Sequence, residues 1–133
     1  SHSRTTSGLF RNLKDALDLY HSMTVQVPIE TRQGVHNVPI SSIIMVEAQG
    51  KKVIVHTTAR DYESIHTMQY WLDQLPVNRF FQTHRSFIIN YEHITNFDHM
   101  LVHLSNGQFT AYLTKRKYSA FKGAYLLYLE STR

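Results

Sequence analysis

Positively charged side chains occur at three separate places in the chain, each beside a pattern typical of a strand end or a turn. The three groups are Lys51-Lys52, His84-Arg85 and Lys115-Arg116-Lys117. A row of such cations can neutralise nucleic-acid phosphates, and an arginine can also pair its forked guanidinium with the O6 and N7 atoms of guanine. If the fold brings the three groups to one edge, we expect a surface that follows a phosphate backbone.

Each group also has an ordinary structural explanation. The first group is a common solvent-exposed turn. The last could keep the start of a helix soluble, although cations at a helix N-terminus oppose the helix macrodipole. From the residues alone, His84 could be a core histidine and Arg85 could pair with Glu47 or Asp98. The residue types by themselves leave both explanations open.

The composition is that of one domain with a hydrophobic core. The chain has 133 residues, of which 42% are hydrophobic, and a formal net charge of +4. Its basic character favours polyanionic partners, nucleic acid ahead of anionic lipid. The absence of cysteine excludes disulfides and thiolate metal sites, and is compatible with a reducing cytoplasm. No apolar run approaches the roughly 20 residues that span a bilayer, so we expect no membrane segment.

Most of the segments between these groups have strand patterns. Alternation at Val25, Val27 and Ile29 predicts a half-buried strand. Residues 43–48 are apolar on both faces apart from one glutamate, which predicts a central strand, and residues 52–57 predict its hairpin partner. Further strands are predicted at 94–97, at 100–104 and, after the Asn106-Gly107 turn, around residues 109–113.

Three segments have helical periodicity instead. An apolar stripe at residues 9–20 predicts a helix ahead of the strands, and a second stripe at 118–128 predicts a C-terminal helix. Between them, residues 68–75 predict a short helix with Thr67 as N-cap and Pro76 as terminator. Residues 1–8 begin without an initiator methionine and show neither a helical nor a strand pattern.

The most informative segment is residues 80–90, Phe-Phe-Gln-Thr-His-Arg-Ser-Phe-Ile-Ile-Asn. Its pattern predicts a buried strand that leads into a short polar crest at His84-Arg85. It resembles, almost residue for residue, the aromatic-x-x-x-His-Arg-Ser-aromatic-aliphatic-aliphatic-Asn signature of the LytTR family of bacterial DNA-binding domains. The resemblance extends from about Val38 to Tyr118.

The resemblance implies a mostly β fold of the elongated LytTR type, with one short internal helix and flanking N- and C-terminal helices. We expect the DNA-binding domain to occupy residues 23–133, after a tag or linker and the first helix in residues 1–22. The expected function is sequence-specific binding of double-stranded DNA by the output domain of a cytoplasmic bacterial transcription regulator, a two-component response regulator. Loops would enter successive major grooves at repeated short elements, where two copies can sit side by side. The upstream receiver domain is not encoded in these residues.

The resemblance also implies roles for individual residues. Contacts with base edges are expected first from Arg85 and Lys115, and second from His84 and Lys51. The remaining expected DNA contacts are Gln49, Lys52, Arg116 and Lys117, of which the three cations should touch phosphate. Ser86 and Asn90 match the signature and are expected to bond the backbone.

Two positions depart from the family pattern. Gln82 stands where many members carry a basic residue, and Thr114-Lys115 stands where many have a Ser-Arg pair. A lysine replaces the bidentate geometry of arginine with a point charge, so base preference at that position is open.

Other classes of function fit less well. A metal enzyme would need grouped ligands, and no HExxH motif or two-His-one-carboxylate grouping occurs among His36, His56, His66, His84, His93, His99 and His103. Ser86 is not in a Gly-x-Ser-x-Gly elbow, so a serine hydrolase is not indicated. RNA recognition would need an exposed aromatic platform, whereas the aromatic spacing here is typical of a core. We therefore expect no enzyme and no cofactor, and keep a β-rich module that binds protein or anionic lipid as the alternative.

Overall fold

The computed structural model describes residues 25–132, and strands dominate them. The strands are β1 (Gln26–Thr31), β2 (Gly34–Pro39), β3 (Ile43–Gln49), β4 (Lys52–Thr57), β5 (Asp61–Ser64), β6 (Phe80–His84), β7 (Phe87–Asn90), β8 (Ile94–Phe97), β9 (Leu101–Leu104) and β10 (Phe109–Tyr112). The helices are α1 (Met68–Gln74) and α2 (Tyr118–Ser131). The mostly β class is confirmed. The helix predicted at residues 9–20 and the domain boundary predicted after residue 22 lie outside the described residues.

A five-stranded antiparallel sheet forms the centre, in the order β5-β4-β3-β7-β6. The predicted hairpin of β3 and β4 is confirmed, and β3 is the middle strand, as its two-sided apolar pattern predicted. The β1-β2 hairpin and a three-stranded sheet, in the order β10-β9-β8, complete the strands described.

The central sheet separates two hydrophobic cores. On one face, Val46 and Ile88 belong to a cluster with the β1-β2 hairpin and α1. On the other face, Met45 and Ile89 belong to a cluster with β9, β10 and the α2 residue Phe121. Neighbouring residues of a strand point to opposite faces, so β3 and β7 supply side chains to both cores.

Helix α1 begins and ends where the sequence predicted. The Thr67 hydroxyl accepts a hydrogen bond from the Tyr70 N–H at 3.2 Å, and the helix ends at Gln74, with Leu75 as its C-cap just before Pro76. Its inner face buries Trp71 completely. The Trp71 indole N–H donates to the Ser64 hydroxyl at 3.0 Å, which satisfies the one polar group of the ring.

The segment 80–90 forms a hairpin rather than one strand. Residues 85 and 86 form the turn between β6 and β7, so the predicted polar crest is this turn. Asn90 is fully buried at the far end of β7; its side-chain amide donates to the Ile43 carbonyl at 2.8 Å, and its oxygen accepts from the Glu92 N–H. The predicted backbone-bonding role of Asn90 is confirmed. Next to it, burial raises the pKa of Tyr91 to about 12.

The predicted turn at Asn106-Gly107 connects β9 and β10, as expected. Ser105, Asn106 and Gly107 all have positive φ angles, of 52°, 57° and 87°. The left-handed conformation begins at Ser105, one residue before the predicted turn. The connection is therefore longer than a two-residue turn.

Replacing Trp71 with alanine should destabilise the protein by about 3–5 kcal/mol, because it opens a large cavity between α1 and the central sheet. Urea unfolding followed by circular dichroism measures this loss. Met100 is 73% exposed, so Met100→Ala should change the free energy of unfolding by no more than about 0.5 kcal/mol. Equal effects of the two variants would contradict the described core.

Candidate nucleic-acid interface

Two of the three basic groups lie side by side because β3 and β7 are antiparallel neighbours. The end of β3 is next to the start of β7, where the Ala48 N–H donates to the Ser86 carbonyl at 2.9 Å. This bond places the β3-β4 turn, with Lys51 and Lys52, beside the β6-β7 turn, with His84 and Arg85.

The third basic group lies along the opposite side of the β6-β7 turn. The Thr114 N–H donates to the Thr83 carbonyl at 3.0 Å, and the Lys117 ammonium donates to the Gln82 carbonyl at 3.0 Å. The three groups thus follow one another along one end of the central sheet. We call this surface the basic edge; it consists of Gln49, Lys51, Lys52, His84, Arg85, Lys115, Arg116 and Lys117.

The residues of the basic edge differ in exposure. Six side chains are exposed to solvent: Gln49, Lys51, Lys52, Arg85, Lys115 and Arg116. His84 and Lys117 are half-buried. The edge therefore presents one strongly basic residue from its central turn and two from each flanking segment.

Within residues 25–132, no ion pair of Arg85 with a carboxylate is found. The two acids considered as partners are engaged elsewhere. Glu47 lies 2.8 Å from His56, and Asp98 accepts hydrogen bonds from the backbone N–H groups of Met100 and Leu101. Those two bonds, with smaller contributions from His103 and His99, hold the pKa of Asp98 below its usual value. The internal ion pair is thus not formed, and the guanidinium is available for a ligand.

His84 is anchored at the turn and is not a core residue. Its Nδ1 accepts a hydrogen bond from the Ser86 N–H at 3.1 Å, so in the neutral ring the hydrogen is on Nε2. The ring packs against Phe87 and Tyr112, with centroid distances of 5.9 and 5.8 Å. Ser86 thus shapes the turn through its backbone N–H and carbonyl groups.

Lys117 differs from its two basic neighbours because its ammonium group forms a hydrogen bond within the protein, to the Gln82 carbonyl. The Thr114 hydroxyl accepts from the Lys117 N–H at 3.3 Å and so begins the single turn Lys115–Lys117. Burial, and second the charge of Arg116, lower the pKa of Lys117. Its predicted phosphate contact remains a prediction, and would compete with the bond to Gln82.

Tyr112 is a candidate that the sequence interpretation missed. It is 60% exposed at the end of β10, and its ring packs edge-on against Phe87 at 5.6 Å. It therefore lies between the His84 turn and the segment that carries Lys115. The alternation around it was a usable signal, because Ala111 and Leu113 are buried and the residue between them must face outwards.

Residues 25–132 lack two features that would indicate other classes of protein. Among residues 25–132, no cluster of three or more His, Cys, Asp or Glu side chains is arranged to hold a metal ion. In the same part of the chain, no helix has the length and apolar character needed to cross a membrane.

Comparison with known proteins identifies the family. The family model for the LytTr DNA-binding domain matches residues 33–125, which include both turns and the segment 114–117. The chain belongs to the LytTr DNA-binding domain family. This family comprises DNA-binding domains of transcriptional regulators and is not an enzyme family, so the expectation that this domain is not an enzyme is confirmed.

Individual LytTr relatives agree with this assignment. A solved LytTr DNA-binding domain from Bacillus cereus matches with a TM-score of 0.64 and 28% identity, covering 74% of this chain and 94% of that one. The sensory transduction protein LytR of Staphylococcus epidermidis is 29% identical, over 64% of this chain and 34% of its own length. The transcriptional regulatory protein NatR of Bacillus subtilis is 28% identical, over 78% of this chain and 47% of its own length. The chain thus spans between a third and a half of these two regulators.

Replacing Lys117 with methionine should lower the free energy of unfolding by about 1–2 kcal/mol, because the apolar stem stays while the charged bond to Gln82 is lost. Lys115→Met removes the same charge from an exposed neighbour and should change stability by no more than about 0.5 kcal/mol. Urea unfolding compares the two variants. Equal stabilities would mean that the Lys117 ammonium is as free as that of Lys115.

Proposed function

We propose that this LytTr domain binds double-stranded DNA with sequence specificity through the basic edge, whose turns enter successive major grooves. The observation that carries the proposal is the convergence of three basic segments at one end of the central sheet. A continuous row of cations can follow the charged backbone, whereas scattered cations could not act together. Specificity then requires contacts with base edges, which are most informative in the major groove.

In this proposal the contacts with the grooves come from turns and not from a recognition helix. Helix α1 directs Trp71 into the core and is only seven residues long. Helix α2 buries Phe121, and its exposed positions include Leu126 and Leu127 rather than a row of cations. Neither helix offers the basic face that a helix placed in a major groove would need, whereas the basic edge carries its cations on turns.

We assign the roles by side-chain chemistry and exposure. Arg85, at the centre of the basic edge, is suited to bidentate contact with guanine, and Lys115 to a base-edge contact without that fixed geometry. His84 and Lys51 are second candidates for base contact. Lys52 and Arg116 would bind phosphates on either side, and Tyr112 can donate its hydroxyl to a phosphate between them.

The domain would act as the output part of a longer bacterial regulator in the cytoplasm. The relatives LytR and NatR are named as sensory transduction and transcriptional regulatory proteins, and each extends well beyond the matched region. We propose that an upstream receiver domain controls this one, as in a two-component response regulator. Repeated short elements in a target promoter would let two copies bind side by side.

The alternative is a module that binds protein or anionic lipid through the same edge. Selection of bound duplexes from a random oligonucleotide pool at 150 mM salt separates the two. A sequence-specific domain should enrich a short motif, because base readers typically prefer their site by about 10³ or more over other sequences. A pool that stays random through the selection would contradict the proposal.

Arg85→Ala should reduce affinity for the selected duplex by about 1–3 kcal/mol and relax base preference at one position. The reason is loss of the bidentate contact at the centre of the edge. Mobility-shift titration of the selected duplex and a scrambled one measures both effects. Arg60→Ala is the control: Arg60 lies at the far end of β4, over the Tyr62 ring, and its loss should leave the preference unchanged. An unchanged titration for Arg85→Ala would show that this role is wrong.

Lys52→Ala should instead weaken binding to selected and scrambled duplexes by the same factor, because a phosphate contact carries no sequence information. The slope of log affinity against log salt should become shallower by about 0.9, the contribution of one neutralised phosphate. Titrations at several salt concentrations measure the slope, with Arg60→Ala again as the charge-matched control. A loss confined to the selected duplex would assign Lys52 to base contact.

A further inference from the structure

A chain of hydrogen bonds leads from the interior of the sheet to the basic edge. The Gln49 side-chain amide donates to the Glu47 carboxylate at 3.1 Å. The same Glu47 oxygen lies 2.8 Å from Nε2 of His56, and Nδ1 of His56 lies 2.8 Å from the Asp61 carboxylate. Only Gln49 of these four residues belongs to the basic edge, and the proposed function assigns no task to the other three.

The inner residues of this chain are held firmly. The His56 side chain is 7% exposed, and its ring packs at 5.0 Å against Phe109 of the three-stranded sheet. The Glu47 side chain is only 22% exposed. The Glu47 carboxylate is held by its contact with the buried His56 ring. It can therefore orient the exposed Gln49 side chain that donates to it.

Glu47 places a carboxylate near a surface that is proposed to meet phosphates, which would repel the ligand. An acid at this position therefore needs a task inside the protein, and its contacts with Gln49 and His56 are consistent with such a task.

The bond to Glu47 determines which way the Gln49 amide faces. A carboxylate only accepts hydrogen bonds, so the nitrogen of the amide must face it, and a flipped amide would place two oxygens against each other. One amide N–H is used by Glu47. The carbonyl oxygen and the second N–H remain, and together they match the N6 donor and N7 acceptor of adenine in the major groove.

We propose that Gln49 reads an adenine and that Glu47, supported by His56 and Asp61, is the positioning residue that fixes the orientation of its amide. This inference rests on the proposed function. Extending the β3-β7 register from Glu47 opposite Phe87 by two residues sets Gln49 opposite Arg85. The adenine should therefore lie close to the guanine that Arg85 is proposed to read.

Selection from a random duplex pool tests the proposal directly. The wild type should enrich an adenine near the guanine whose preference depends on Arg85. Gln49→Ala and Glu47→Met should each reduce the preference for that adenine by about tenfold, while the guanine preference stays, because methionine at position 47 has no oxygen to accept the Gln49 N–H. Glu130→Met makes the same exchange at an exposed position of α2 and should leave both preferences unchanged.

The outcomes separate this inference from the proposed function. No enriched motif with the wild type would contradict the proposed function, and the inference with it. An enriched motif that keeps the same base preferences in Gln49→Ala would overturn the inference alone. Loss of the adenine preference in Gln49→Ala but not in Glu47→Met would leave Gln49 as a reader and overturn the positioning role of Glu47.

A second measurement needs neither DNA nor a stable Glu47 variant. The side-chain amide proton resonances of Gln49 in the free protein should be shifted from those of a free glutamine side chain, because one N–H is bonded to a carboxylate. Asp61→Asn, at the exposed end of the chain of bonds, should move these resonances, whereas Glu130→Gln should not. Gln49 resonances that match those of a free glutamine side chain would overturn the proposal.

Discussion

The pairing of β3 with β7 is the interaction on which both the fold and the basic edge depend. It sets Val46 beside Ile88 on one face and Met45 beside Ile89 on the other, so one strand pair supplies both cores. A slip of one residue would exchange the two faces of a strand. Because both faces are buried, each of the two hydrophobic cores fixes the register of this strand pair. The Ala48-to-Ser86 bond, which aligns two basic turns, is a consequence of that register.

The rest of the basic edge is fixed by short contacts to the same framework. The Thr114 backbone bonds to Thr83 of β6, and the His84 ring is held by the Ser86 N–H. A binding surface that is already ordered loses less conformational freedom when its ligand arrives. Tight turns on a buried sheet thus give side chains such as Arg85 a defined starting position, although they belong to no helix.

The sequence predicted those elements whose side chains have a strong pattern. The two-sided apolar run of β3 and the capped helix α1 were placed within one residue of their bounds, and the aromatic stripe of α2 gave its start and came within three residues of its end. Strands β2 and β5 were not predicted. Their more buried positions include the polar residues His36 of β2 and Ser64 of β5, so apolar residues do not alternate along either strand. Both form through backbone pairing with a neighbour, which leaves little trace in the side chains.

For the site, the sequence supplied residue types and the family resemblance supplied their roles, but the connections between them are not local. Lys117 bonds to Gln82, which is distant in sequence, and no spacing rule relates them. His56 was considered only as a possible metal ligand, because its link to Glu47 arises from the pairing of β3 with β4.

Glu47 shows why these connections matter. An acidic side chain beside a surface that binds polyanions weakens the long-range attraction between the surface and its ligand. From composition alone, Glu47 would be expected to oppose binding. Its oxygen nevertheless accepts from Gln49 and lies 2.8 Å from His56, so the carboxylate is used inside the protein. The effect of a charged side chain at this edge is therefore set by its hydrogen-bond partners within the sheet and not by the sign of its charge alone.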